Sequence, residues 1–345
     1  MKRIAARSLH ALKAAEMIEG LQAFFVRNLD DISETLGNRQ KFQPVEWFRD
    51  EGSHGGGIRY IATDTTLFNR ASVNYSQVHY DDDTMKKLSS ATAVSTIIHP
   101  LNPLVPSMHM HISWTEMRDG KGYWRIMADL NPSNFDVSDK ERFTKALREA
   151  AAEHYEQGSA EGDRYFFIPA LGRHRGVSHF YLENYNSGDN DGDMKFARSF
   201  GEAVIRIYID IIREAIASRS VISERDRQQQ LEYHTLYLLQ VLTLDRGTTS
   251  GLLIHNQNDI GILGSIPSHV DKELLQSWVG KLHTVQNHLL QSIIEVLPEG
   301  KAVLVDDTVK RALAKKVRDH YRSHPEALAL QASSSHIPPT VNNHR

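Results

Sequence analysis

The residues from Met108 to Trp114 alternate apolar and polar side chains, in the order Met-His-Met-His-Ile-Ser-Trp. Successive side chains of a β-strand point to opposite faces, so this run predicts a strand with His109, His111 and Ser113 on its polar face. The pKa of histidine, about 6.5, lies close to neutrality, and a nearby carboxylate tunes it. Two imidazoles on one face therefore indicate general acid–base chemistry, provided that a charged partner lies beside them.

A second alternating run extends from Tyr123 to Leu130 and leaves Arg125 and Asp129 on its polar face. If the two runs form a hairpin, their apolar faces coincide only when His111 pairs with Asp129 or when the pairing shifts by an even number of residues. We predict the first register, with the loop at residues 119–121. That hairpin places both histidines next to the arginine and the carboxylate.

Three interpretations of this polar face remain open. It faces water, it performs acid–base catalysis, or it binds a divalent metal, since two histidines and an aspartate form a known ligand set for non-haem iron. The candidate metal ligands are His99, His109 and His111. Arg175, in Gly-Arg-His-Arg-Gly, and Arg246, in Asp-Arg-Gly-Thr, are candidates for binding carboxylates, or else are structural or surface charges.

Composition excludes several classes of protein. The chain has 345 residues, of which 40% are hydrophobic, so one large domain or two joined ones can bury a core. Zero cysteines exclude thiolate nucleophiles, disulfides and cysteine-ligated metal centres. A net charge of −3 argues against nucleic acid as a partner, and no stretch reaches the roughly 20 apolar residues of a membrane span or forms a secretory signal. We therefore expect a cytoplasmic protein that binds neither nucleic acid nor a membrane.

The hydrophobic pattern predicts helices at both ends and strands in the middle. An amphipathic helix runs from Leu9 to Leu36, where Gly37 ends it, and Ser138 has capping-box spacing for a helix that ends near Tyr155. The other predicted helices cover residues 193–218, 225–236, 267–297 and 306–322. The predicted strands cover residues 57–63 and 68–79, two or three segments within 92–131, the second part of 172–186, and 240–245, 251–256 and 260–265.

This order of elements, without regular alternation of strand and helix, predicts the α+β class. We expect a large, mostly antiparallel sheet flanked by helices on both faces, rather than a doubly wound sheet. Residues 1–325 form a single predicted domain, with an N-terminal helical segment at 1–48 and a C-terminal helix at 300–325. Residues 326–345 are rich in Ser, Pro and Asn, which predicts a disordered tail.

Seven segments, in order between about residues 50 and 270, together resemble the oxygen-dependent coproporphyrinogen III oxidase family. The most specific of them contains the run HPLNPLVPSMHM. The segments are GGGI at 55–58, LFNRASVNYSQVH at 67–79, AVSTIIHPLNPLVPSMHM at 93–110, YWRIMADLNP at 123–132, GRHRGV at 172–177, LDRGTTSGL at 244–252 and ILGSIP at 262–267.

The resemblance implies an antiparallel sheet flanked by helices, a homodimer, and the oxidative decarboxylation of coproporphyrinogen III. In that reaction two propionates become vinyl groups, molecular oxygen is the co-substrate, and hydrogen peroxide and carbon dioxide are released. No organic cofactor is implied, and a divalent metal is possible but not required. By motif position, His109 would be the acid–base residue, Asp129 the carboxylate that faces the pyrrole NH groups, and Arg175 a propionate partner. The other implied substrate contacts are Ser95, His111, Ser113, Asn256 and Asn258.

The chain departs from the family where the substrate carboxylates are bound. The family has Asn-Tyr-Arg where this chain has His111-Ile112-Ser113. The family also has a loop with glycine and arginine at the position of residues 256–258, and two arginines at the position of residues 234–241, all of which this chain lacks. Each lost charge-assisted pair costs roughly 1.5–3 kcal/mol of binding free energy. Two alternatives therefore stay open. One is an oxidase or oxygenase for a less anionic substrate, with or without a metal, and the other is a non-catalytic dimer that binds a tetrapyrrole or a protein.

Overall fold

A seven-stranded antiparallel sheet forms the centre of the molecule. The structure is a computed structural model that describes residues 1–36, 40–63, 65–255, 257–336 and 341. The strands are β1 (Gln43–Phe48), β2 (Gly55–Ile61), β3 (Phe68–His79), β4 (Leu88–Pro100), β5 (Ser107–Met117), β6 (Gly122–Asn131), β7 (Phe167–Ile168), β8 (Arg173–His174), β9 (Ser178–Tyr185), β10 (His269–Asp271) and β11 (Ala302–Leu304). The large sheet has the order β1-β2-β3-β4-β5-β6-β9, and all its neighbouring pairs are antiparallel. The predicted α+β class is confirmed.

Helices cover both faces of this sheet. They are α1 (Leu9–Thr35), α2 (Val137–Ala151), α3 (Tyr155–Phe166), α4 (Asn190–Ser218), α5 (Glu224–Thr243), α6 (Arg246–Ile254), α7 (Asp259–Ile262), α8 (Lys272–Ser277), α9 (Thr284–Val296) and α10 (Asp307–Ser323). On one face, α1, α2 and α4 bury the apolar side chains of β5 and β6, including Met110, Ile112 and Trp124. On the other face, α5 to α10 build a second core that Ile97 of β4 joins. The polar face of the sheet therefore lies between two layers of apolar packing.

β5 and β6 form the predicted hairpin, but its register differs from the predicted one by two residues. His109, rather than His111, lies opposite Asp129, and Ser113 lies opposite Arg125. Because the shift is even, every side chain stays on its predicted face. The polar face of the hairpin therefore has its predicted members, with different partners.

The shift places the hairpin loop at residues 118–120 instead of 119–121. The backbone N–H of Gly120 donates to the carbonyl of Met117 at 3.1 Å, and Gly120 has a φ of 83°. A three-residue loop that ends on a left-handed residue fits the twist of a hairpin, and glycine adopts that conformation without steric cost. The position of this glycine therefore fixes the register.

The strands predicted within 240–265 are wrong, because the described residues of this segment form the end of α5, then α6, α7 and a short 3₁₀ helix. The α5 residues 233–243 are all buried, so they lack the polar stripe by which an amphipathic helix is recognised. A short apolar run fits a strand or a buried helix equally well. The side chain of Asp245 then caps α6, accepting a hydrogen bond from Thr248 N at 2.6 Å.

α3 is absent from the predicted elements because of its glycines. Gly158 and Gly162 lower the helix propensity of this segment. A Cβ at Gly158 would overlap the ring of Phe180, and one at Gly162 would overlap the backbone of β9. The glycines therefore allow α3 to lie directly on β9, a tertiary reason that the local pattern does not reveal.

The predicted boundaries need two corrections near the N-terminal half. The last six residues of the segment predicted as helical, Gln43–Phe48, form the edge strand β1. α2 is capped by Asp136, whose side chain accepts from Asp139 N at 3.1 Å, and not by Ser138. Aspartate is as good an N-cap as serine, so the choice between two neighbouring candidates depends on backbone geometry.

Part of the predicted disordered tail packs against the protein. Residues Pro325–Leu330 form a 3₁₀ helix, and Gln331 Nε2 donates to Thr249 Oγ1 at 2.6 Å. Ala332 packs against an apolar cluster that includes Met127. The predicted helix end at Gly37 lies outside the described residues, as do residues 337–340 and 342–345 of the predicted tail. No described helix has the length and apolar character needed to cross a bilayer.

Candidate active site

A cleft of about 270 Å³ lies between the polar face of the sheet and the layer formed by α5, α6 and α7. Its sheet wall has polar side chains from four neighbouring strands, β3 to β6. Its helical wall has mostly small and polar residues from α6 and α7, together with Tyr237 of α5. The sequence-predicted site residues that line this cleft are Ser95, His109, His111, Arg175 and Asn258. The two walls therefore bring together residues that are up to 163 positions apart in the sequence, from Ser95 to Asn258.

Asp129 lies beneath His109 and is fully buried. Its carboxylate accepts hydrogen bonds from His109 Nδ1 at 2.8 Å, Arg175 Nη2 at 2.6 Å and Asn131 Nδ2 at 2.6 Å. An ionised carboxylate only accepts, so the proton of the neutral His109 ring lies on Nδ1 and Nε2 becomes the acceptor. The side chain of His109 is 18% exposed, whereas Asp129 has no exposed surface. In this structure His109 therefore reaches the cleft, whereas Asp129 contacts His109 from behind and does not line the cleft.

The Asp129–Arg175 pair is held in its charged form. Burial by itself raises the pKa of Asp129, but the Arg175 guanidinium, followed by the His109 ring, lowers that pKa well below its ordinary value. Burial lowers the pKa of Arg175, and Asp129 more than reverses this effect. The guanidinium also lies over the rings of Phe166 and Tyr237, at 4.7 and 5.1 Å. Its role as a propionate partner stays a prediction, since in this structure the guanidinium neutralises Asp129.

His111 is a neutral imidazole in the floor of the cleft. Burial, and then the positive charge of Arg125, lower its pKa well below the ordinary value. Its Nε2 lies 3.0 Å from Ser113 Oγ, and Ser95 of β4 lies directly opposite it. The three predicted contacts on these strands therefore form a compact polar group that carries no charge at pH 7.

Arg125 is paired with an acid that the sequence analysis missed. Its Nε donates to both carboxylate oxygens of Glu183, each at 3.0 Å, and the Glu183 side chain is 1% exposed. The hydroxyl of Tyr181 donates to the same carboxylate. Glu183 belongs to β9, which pairs with β6 across a long connection, so no local spacing points to it. Asn131 was also missed, although its position two residues after Asp129 places it on the same face.

The three candidate metal ligands do not form a metal site. His99 is fully buried between β4 and α5, where Nδ1 lies 3.0 Å from Ser107 Oγ and the ring contacts Tyr237 edge-on. His109 uses Nδ1 for Asp129. Across the described ranges, no three His, Asp or Glu side chains lie close enough together to hold a metal ion.

The helical wall contains the remaining predicted residues. Asn258 lines the cleft beside Gly261, and Asn256 lies outside the described residues. Arg246 is mostly buried, with Nη2 3.5 Å from the carbonyl oxygen of Ala332. Since the preceding aspartate caps α6, this Asp-Arg sequence has a structural function in the fold.

The coproporphyrinogen III oxidase family model matches residues 13–293 of this chain. That range contains the large sheet, α2 to α8, most of α1 and α9, and every residue of the cleft described above. The chain belongs to the coproporphyrinogen III oxidase family. Within that family fold, the cleft is the candidate active site because it holds a buried His-Asp-Arg network whose histidine is accessible.

Relatives in animals and bacteria are similar over most of the chain. The Drosophila melanogaster protein named oxygen-dependent coproporphyrinogen-III oxidase is 30% identical over 298 residues, which cover 78% of this chain and 75% of that relative. The mitochondrial protein of that name from Rattus norvegicus is 28% identical over 285 residues, 75% of this chain and 62% of its own length. The Rickettsia akari protein of that name is 27% identical over 249 residues, 67% and 85% respectively. The chain therefore spans less than two-thirds of the rat relative.

Proposed function

We propose that this chain catalyses the oxygen-dependent oxidative decarboxylation of coproporphyrinogen III to protoporphyrinogen IX, a step of haem biosynthesis. The observation that carries the proposal is the network of His109, Asp129 and Arg175 in the cleft of a family member. The names of the relatives support the same substrate.

In the proposed reaction each of the two propionates that react loses carbon dioxide and a hydride equivalent, and a vinyl group remains. The hydride and one proton convert molecular oxygen to hydrogen peroxide, so atoms and electrons balance without an organic cofactor. His109 moves the proton at Nε2, because Asp129 holds the proton on Nδ1. The negative charge of Asp129 stabilises the imidazolium that forms, while Arg175 and Asn131 keep the carboxylate in place.

A second candidate function is the oxidation of a less anionic substrate. One observation favours it: the two arginines among the described residues that line the cleft, Arg125 and Arg175, are both paired with buried carboxylates. A substrate with four carboxylates needs cations that are not already neutralised. The cleft therefore has to supply such cations elsewhere if coproporphyrinogen III is the substrate.

The proposal is tested by incubating the purified protein with freshly reduced coproporphyrinogen III, with and without oxygen. Chromatography would measure the monovinyl intermediate and the divinyl product. We expect both products only in the presence of oxygen and intact protein, a loss of about 10²-fold or more in His109→Gln, and no loss in His288→Gln, an exposed control on α9. Absence of product from folded wild-type protein would refute the proposal.

We also propose a homodimer and a cytoplasmic location, both carried over from the sequence analysis. The family resemblance supports the dimer. Sedimentation of the purified protein would give one species of twice the chain mass if the dimer forms. Cell fractionation would test the location.

A further inference from the structure

Three cations lie together beside the cleft, where β2 and β3 approach α10. Arg59 of β2 and Lys310 of α10 are 7% and 5% exposed, and Arg70 of β3 has a buried Nε without a hydrogen-bond partner among the described residues. We call these three residues the Arg59 cluster. The neighbouring carboxylate is Asp307, whose oxygen is 3.7 Å from Lys310 Nζ and whose side chain is 60% exposed. One solvated carboxylate does not neutralise three cations.

The cluster carries an electrostatic cost. Burial lowers the pKa of Arg59, Arg70 and Lys310, and Asp307 only partly opposes the effect. The two arginines also lower the pKa of Lys310 further by repulsion. The guanidinium of Arg59 makes no hydrogen bond or ion pair with any residue that the structure describes. Buried cations without a full countercharge are unfavourable, and each such group in a native protein calls for a specific explanation, which a bound anion provides.

The guanidinium of Arg59 lies directly behind two residues of the cleft wall, Gly261 and Asn258. A Cβ added to Gly261 would overlap both Arg59 Nη1 and Asn258 Oδ1, and Gly261 and Asn258 line the cleft. Glycine at this position therefore leaves the space that the guanidinium occupies. Asn74, the residue opposite Arg59 on β3, lines the cleft as well.

One row of paired residues connects the cluster to the catalytic face. Arg59 lies opposite Asn74, Asn74 opposite Ser95, and Ser95 opposite His111. Three strand spacings of about 4.8 Å separate Arg59 from His111, a span of about 14 Å. His109, the acid–base residue, lies two residues from His111 on the same face of β5. The site therefore has an acid–base residue at one end and cations at the other, an arrangement that suits a macrocycle with carboxylates on opposite edges.

We propose that the Arg59 cluster binds a carboxylate of the tetrapyrrole substrate and thereby holds a different propionate at His109. Arg59 provides the bidentate contact, and Lys310 and Arg70 supply further positive charge. The inference rests on the proposed function, and it supplies cations that are not fully neutralised to replace the arginines that the chain lacks at 111–113 and 256–258.

The test uses coproporphyrin III, the stable oxidised form with the same four carboxylates, and its tetramethyl ester, which has none. Fluorescence titration would measure the affinity of wild-type protein, Arg59→Gln, Lys310→Met and the control Arg198→Gln, an exposed residue on α4. We expect Arg59→Gln to weaken binding of the acid by about 10-fold or more, with a smaller loss in Lys310→Met and no loss in the control. The ester should bind wild type more weakly than the acid does, and equally weakly to wild type and Arg59→Gln.

Stability separates a binding function from a structural one. If Arg59 binds a ligand and does not stabilise the fold, the unfolding free energy of Arg59→Gln without porphyrin equals or exceeds that of wild type. A large loss of stability, or unchanged affinity for the acid, would overturn the inference. If the wild-type protein forms product but Arg59→Gln binds coproporphyrin III as tightly as wild type does, the inference is refuted and the proposed function stands. Arg59-dependent binding without turnover would refute the proposed reaction and support the carboxylate site.

Discussion

Around Asp129, every charge has a partner: the carboxylate accepts from Arg175, His109 and Asn131. Around Arg59, three cations share one solvated carboxylate. Both regions border the same cleft, and Asp129 and Arg59 are buried on the same face of the sheet, so burial alone does not explain the difference. Paired charges fix the position of a reacting group, whereas unpaired cations remain available to a ligand. We infer that the first region performs chemistry and the second binds substrate.

The largest expected effect is on stability, in a comparison of Arg175→Met with Arg59→Met. Loss of Arg175 leaves the buried Asp129 carboxylate without its main countercharge, which costs about 3–5 kcal/mol of unfolding free energy. Loss of Arg59 removes a cation without a full countercharge, so we expect a much smaller loss of unfolding free energy than in Arg175→Met. Urea unfolding at pH 7 measures both values. Equal losses in the two variants would remove the distinction between the regions.

The next effect is the pH dependence of Asp129→Asn. The pKa of Asp129 is lower in the folded protein than in the unfolded chain, so its contribution to stability is present above the unfolded pKa of about 3.9 and is lost as pH falls through the folded pKa. The stability gap between wild type and Asp129→Asn should therefore be largest at neutral pH and shrink below about pH 4. Urea unfolding from pH 7 to pH 3 checks this sign. A gap that stays constant over this range would contradict the account of Asp129.

The smallest effect comes from Gly261→Ala. The added methyl group displaces the flexible ends of Arg59 and Asn258, so we expect coproporphyrin III to bind several-fold more weakly, with a stability change below about 1 kcal/mol. Gly20→Ala is the matched control, because a Cβ at Gly20 in α1 has open space around it. That control should gain about 0.5–1 kcal/mol of stability and keep its affinity. Equal affinities of the two variants for coproporphyrin III would show that binding does not depend on the position of the Arg59 guanidinium.

The sequence was sufficient where a periodic pattern coincides with one face of an element. Alternation in β5 and β6 predicted which side chains share the polar face, and the three- and four-residue spacing of α1 predicted its extent to within one residue. It was insufficient where tertiary contacts outweigh local preference. The helix α3 contains glycines because β9 lies against it, and the end of α5 is buried on all sides, its polar residues included.

The candidate site shows the same division. His109 and Asp129 follow from the hairpin, although the loop geometry at Gly120 changed the pairing by two residues. Glu183 and the Arg59 cluster were missed, because their residues meet through strand order and through the approach of α10. Such meetings depend on topology, for which spacing along the chain gives no signal.

The most direct test of the central claim is steady-state kinetics of aerobic coproporphyrinogen III turnover by His109→Gln and Arg59→Gln. We expect His109→Gln to lower kcat with little change in KM. We expect Arg59→Gln to raise KM about 10-fold or more, with a smaller change in kcat. Both variants losing kcat alone, or Arg59→Gln behaving as wild type, would contradict the division of the cleft into a reacting region and a binding region.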